Sequence, residues 1–98
     1  MERRKLGPEE VRSGLAGVTG WEFDGDKIEK KFKFSNFAEA LSFVNKVGEI
    51  AEDADHHPDI KFGWGYAEVA TTTHDRGGIT DHDLDLAAKI DLVAAAPN

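Results

Sequence analysis

HHPDIKFGWGYAEVATTTH, residues 56–74, is the stretch that decides the fold. After Pro58, the residues Ile60, Phe62 and Trp64 alternate with Asp59, Lys61 and Gly63, the period of two that marks a half-buried strand. Proline is tolerated at a strand's first residue. Gly65 separates this run from Tyr66 to Thr73, which is rich in the Tyr, Val and Thr that strands favour. Two such runs around a glycine predict an antiparallel hairpin. In that arrangement the start of the first strand lies beside the end of the second. His56 and His57 are therefore expected at the same rim as His74, although His56 and His74 are 18 residues apart in sequence.

Upstream of the hairpin, Phe37, Leu41, Val44, Val47, Ala51 and Ala54 recur every three or four residues, as in an amphipathic helix. Ser35 or Asn36 can cap it, Gly48 interrupts it without ending it, and it should run to about Asp53. Before it, Trp21-Glu22-Phe23 leads into Asp24-Gly25, a two-residue hairpin signal. A strand from Lys27 to Phe34 follows, with Ile28, Lys30, Phe32 and Phe34 on one face and Glu29, Lys31 and Lys33 on the other. Lys30 is out of step with that apolar face. A first helix over about residues 8–16 is indicated by Pro8 in its opening turn, Val11 and Leu15 one turn apart, and Gly17 as a stop. Gly14 weakens it, so it needs tertiary support.

Downstream, Asp75-Arg76-Gly77-Gly78 reads as a loop. Thr80 and Asp83 form a Thr-x-x-Asp capping box for a last helix, with Ile79 stapled onto Leu84. Leu86, Ile90 and Val93 supply its apolar stripe, and the tail from Ala95 to Asn98 should fray. The order α-β-β-α-β-β-α predicts an α+β fold, a four-stranded antiparallel sheet with three helices packed on one face. Its exposed sheet face and strand edges would be managed by self-association.

No linker, repeat or low-complexity stretch divides the 98 residues, which read as one domain over 1–98. A composition of 40% hydrophobic and 32% charged residues is that of a globular protein. No apolar run approaches the roughly 20 residues of a membrane-spanning helix. The basic opening Met1 to Lys5 is followed by no apolar signal core, so a cytoplasmic location is expected. With no cysteine, disulfides, thiolate nucleophiles and cysteine-bound zinc are excluded. A formal charge of −7 opposes a phosphate backbone, so no nucleic-acid partner is expected. The cluster of lysines at 27, 30, 31 and 33 is explained by a strand whose outer face is solvated.

Three imidazoles at one rim can form a metal site or an acid–base site. Adjacent side chains on extended backbone point to opposite sides, so His56 and His57 do not easily share an ion. No His-x-His or His-x-x-x-His spacing occurs. Acid–base work is the better reading, because an imidazole titrates near pH 6.5 in isolation, roughly at working pH. Glu52, four residues before His56, would lie near that ring if the helix continued, and would orient it. His82 follows Thr80 and Asp81 in a first helical turn and is expected to face water. Asp83 has a structural explanation as the capping acid, and Trp64 and Tyr66 can be packing residues.

The spacing Glu52-x3-His56-His57-Pro58-x5-Trp64-x9-His74-x8-Asp83 resembles the signature of the pterin-4a-carbinolamine dehydratases. Thr72 to Asp75, Gly77 to Thr80 and Asp83 to Ala87 also look like that family, and element order and length agree over nearly the whole chain. The resemblance implies dehydration of a 4a-hydroxytetrahydropterin to a quinonoid dihydropterin, a product recycled for aromatic amino acid hydroxylases. It implies His56, His57 and His74 as the catalytic set, with no metal and no cofactor. Glu52, Pro58, Thr73, Asp75, Arg76 and Asp83 are the implied substrate-binding positions, and His56, beside Glu52, is the expected acid. Animal members carry tryptophan where this chain has Ile60, which leaves Trp64 as a candidate for an aromatic wall. The family also implies a homodimer or homotetramer. A non-catalytic pterin-binding or coactivator-like dimerisation module is the competing reading, and the presence of all three histidines favours the enzyme.

Overall fold

The computed structural model describes residues 4–95, so the fraying expected at the tail falls largely outside the described residues. The elements are α1 (Pro8–Leu15), β1 (Glu22–Asp24), β2 (Lys27–Lys33), α2 (Phe37–Ala54), β3 (Asp59–Gly63), β4 (Tyr66–Thr71), a short 3-10 turn (His74–Arg76) and α3 (Asp81–Ala95). The four strands form one antiparallel sheet in the order β1-β2-β4-β3, with the three helices on one face, the expected α+β architecture. No helix among the described residues is long and apolar enough to cross a membrane.

Period-two alternation sorts β4 cleanly: Ala67, Val69 and Thr71 are buried, and the residues between them are not. Across the ladder these stand opposite Phe32, Lys30 and Ile28 of β2. Lys30 thus points to the helix side of the sheet, and it does not belong to the solvated face expected for the lysine run. Its ammonium reaches the rim of the core, where it donates to Thr19 O at 2.8 Å and Asp91 Oδ1 at 2.9 Å. Trp21 Nε1 donates to the same oxygen at 3.1 Å. A charge placed among apolar neighbours is tolerated because it is paired.

Helix α2 buries Ala40, Phe43, Val47 and Ala51, one stripe at helical spacing. Phe43 meets Phe32 and Phe34 with ring centroids 4.7 and 5.0 Å apart. Asn36 is the cap: its side chain accepts from Glu39 N at 2.9 Å, while Ser35 N donates back to Glu39 Oε1 at 2.9 Å. Gly14, which weakens α1 locally, has a packing reason. A Cβ there would stand 2.4 Å from Leu84 Cδ1, so any larger residue would force the Leu84 side chain of α3 to move.

The hairpin turns differ slightly from expectation. Asp24 pairs with Lys27, so the two-residue loop is Gly25-Asp26, one position later than the Asp-Gly signal implies. Gly25 has φ +66° and Asp26 has no positive φ, the pattern of a type II′ turn with glycine first. Strand β4 ends at Thr71 rather than Thr73, because Thr73 leaves the ladder to pair with Gly78 around the 3-10 turn.

Candidate active site

The site is built where α2 stops. Asp55 takes the left-handed conformation, φ 50° and ψ 43°, the only non-glycine residue among those described with positive φ. Aspartate enters this region more readily than most residues. The reversal lets His56 N donate to Ala51 O at 3.1 Å, closing the helix. It also sends consecutive side chains apart: His56 is buried and His57 exposed. Pro58 then leads the chain into β3.

The opposite wall comes from the end of β4. Thr73 and Gly78 exchange backbone hydrogen bonds around His74–Arg76, and Gly77 completes the turn at φ +69°. Between the two walls lies a cavity of about 270 Å³, lined by His56, His57 and His74 with Asp55, Asp75 and the Thr72–Thr73 segment. The antiparallel pairing of β3 and β4 thus brings the three histidines together at one rim.

Beneath the cavity is a network that local sequence does not reveal. The Asp83 carboxylate is fully buried. Its Oδ1 accepts from His56 Nε2 at 2.6 Å and Thr71 Oγ1 at 2.6 Å. Its Oδ2 accepts from Thr73 Oγ1 at 2.8 Å and Thr80 N at 2.9 Å. Since Thr73 donates to the carboxylate, Thr80 Oγ1 must donate to Thr73 at 2.8 Å, and it accepts in turn from His82 N at 3.2 Å. The direction of each hydrogen bond in this network is thereby set, and no buried side-chain polar atom lacks a partner among the described residues. With the carboxylate as acceptor, Nε2 of His56 carries a hydrogen.

Several expectations change. Glu52 is not the partner of His56; its Oε2 bonds His57 Nε2, because the left-handed turn at Asp55 carries His56 away from the helix face. Asp83 is both the helix cap and the partner of His56, and it lies under the cavity rather than in its lining. Thr73 has its hydroxyl engaged by Asp83 and Thr80. Arg76 turns its guanidinium to the carbonyl and carboxylate of Asp75, 3.3 and 3.4 Å away. His82 does not face water: it is half-buried, with its ring centroid 5.7 Å from that of His56. Trp64 is 72% exposed at the β3–β4 turn, the far end of the hairpin from the histidines, and forms no wall of the cavity. Among the described residues no three His, Asp or Glu side chains are grouped to hold a metal ion.

Thr71 and His82 were missed. Thr71 shares a face with Ala67 and Val69, so a buried hydroxyl needing a partner was legible there. His82 lies four and eight residues before the buried Leu86 and Ile90, which puts it on their inward stripe.

A small α+β fold with a histidine-lined cavity over a buried carboxylate defines the class, and comparison with known proteins gives the family. The sequence model of the pterin 4 alpha carbinolamine dehydratase family matches residues 4–93. Proteins of Trichormus variabilis and Rubrobacter xylanophilus are 44% identical over 88 residues and 49% over 84. Those alignments cover 90% and 85% of this chain, and 95% and 78% of theirs. Both carry the name "Putative pterin-4-alpha-carbinolamine dehydratase". A crystal structure from Brucella melitensis, described as a transcriptional coactivator/pterin dehydratase, superposes with a TM-score of 0.89 at 31% identity, covering 94% of this chain and all of that one. A pterin dehydratase-like RuBisCO assembly factor of the alpha-carboxysome shares the fold, with a TM-score of 0.65 at 20% identity over 79% of this chain and 89% of its own. The chain belongs to the pterin 4 alpha carbinolamine dehydratase family.

Proposed function

We propose that the protein dehydrates a 4a-hydroxytetrahydropterin to the quinonoid dihydropterin, in the recycling of pterin for aromatic amino acid hydroxylases. The C4a–O bond breaks, and the oxygen leaves as water after taking up a proton. The N5–H proton goes to a base, and its bonding pair forms the C4a=N5 double bond. One water is lost, and nothing is oxidised or reduced.

The observation that carries this reading is the meeting of His56, His57 and His74 in one cavity, two of them each bonded to a carboxylate. His56 is assigned as the acid through Nδ1, with Asp83, rather than Glu52, balancing the charge on the ring when it holds the proton. The N5 proton passes to one of the exposed rings, His57 or His74, from which water removes it. Asp55 and Asp75 line the cavity, which supports their assignment as hydrogen-bond acceptors for the pterin. Glu52, Thr73 and Asp83 act through the histidines or the walls. A homodimer or homotetramer accompanies this reading and is checked by light scattering.

The test is stopped-flow decay of a 4a-hydroxytetrahydropterin. Wild type should accelerate it, and His56→Ala and His74→Ala should each lose roughly 100-fold, the scale of one general acid or base. No acceleration by wild type would overturn the proposal.

A further inference from the structure

His82 takes no part in the proton transfers above, yet its ring stands against the ring assigned as acid. The His56 imidazole is fixed at one edge by a single hydrogen bond, Nε2 to Asp83 at 2.6 Å. One hydrogen bond pins a point on a ring but leaves it free to rock about that point. A second ring packed beside it restricts this freedom. His82 supplies one, with centroids 5.7 Å apart and planes inclined by 38°, within the range over which paired rings attract one another.

His82 is itself well anchored. Its backbone amide donates to Thr80 Oγ1, the outer link of the chain that ends on Asp83. Its position in the first turn of α3 places it on the stripe continued by Leu86 and Ile90, both fully buried. The same helix start therefore presents two consecutive side chains to His56, Asp83 to its edge and His82 to its ring.

We infer that His82 is a positioning residue: its ring holds the His56 imidazole at the angle from which Nδ1 addresses the substrate. The inference rests on the assignment of His56 to the dehydration. His82 does not line the cavity, so its removal should affect turnover more than substrate binding. Small misplacement of a reacting group can cost a hundredfold in rate. For His82→Ala we expect kcat to fall about tenfold or more, with KM changed less than about threefold.

A second measurement does not depend on turnover. The Nε2–H proton between His56 and Asp83 is buried and should give a slowly exchanging downfield proton resonance. His82→Ala should broaden it or speed its exchange. His82→Phe, which keeps a flat ring and removes the titratable nitrogens, should restore both kcat and the resonance. If His82→Ala matched wild type in kcat and in this resonance, or if His82→Phe were no better than His82→Ala, the inference would be overturned. Failure of the dehydration reading would appear differently, as an absence of turnover in wild type with the resonance still responding to His82→Ala.

Discussion

Replacing Asp83 by alanine should be among the most damaging single changes in this protein, and the structure allows its size to be worked out. The carboxylate accepts from His56, Thr71, Thr73 and the amide of Thr80, and none of it is exposed. Alanine removes all four acceptor contacts. The helix cap alone is worth about 1 kcal/mol. Each buried hydroxyl or ring N–H left without its partner costs a further ~1–3 kcal/mol. The terms overlap, since Thr73 and Thr80 can still bond each other, so a total of about 4 kcal/mol is expected, the usual scale for orphaning one member of a buried pair. For a domain of this size that is roughly a third to most of its stability. In urea, with a slope of about 1.3 kcal/mol/M, the midpoint should fall by about 3 M. Asp83→Asn keeps the shape but offers an NH2 where two donors point, so it should cost about half as much. A midpoint for Asp83→Ala within about 0.7 M of wild type would refute the reasoning, because it would mean that the four hydrogen bonds contribute almost nothing net.

Two further outcomes follow from other parts of the fold. The Arg4 guanidinium and the Gly7 amide hold the Glu10 carboxyl down to about 2, against an ordinary value of 4.5. The stabilisation is therefore complete above pH 4.5 and is lost as pH falls towards 2, so the gap between wild-type and Glu10→Gln denaturation midpoints should close across that window. Asp91→Ala should leave the half-buried Lys30 ammonium and the Trp21 N–H without their shared acceptor, costing about 1–2 kcal/mol by urea denaturation and altering the Trp21 fluorescence.

What the sequence by itself determined are the features settled by neighbours in the chain. Alternation over Tyr66 to Thr71, the three-to-four spacing through α2 and the caps at Asn36 and Thr80 are local signals, and the elements formed as they indicate. The meeting of His56 and His57 with His74 was also legible, because an antiparallel hairpin joins its own two ends. Only the tertiary structure decided the placing of β4 between β2 and β3, the partners of the inward-facing Lys30, and the partners of the histidines. Helix periodicity assigned Glu52 to His56. One left-handed residue at Asp55 broke that periodicity and gave Glu52 to His57 instead. Asp83 reaches His56 across 27 residues of chain because the start of α3 packs under the end of α2. No local pattern encodes such a distance, since it depends on how the helices settle on the sheet. The physical reason is one of range: backbone geometry and side-chain spacing act over a few residues, whereas the state of a buried imidazole depends on whichever groups the finished core sets against it.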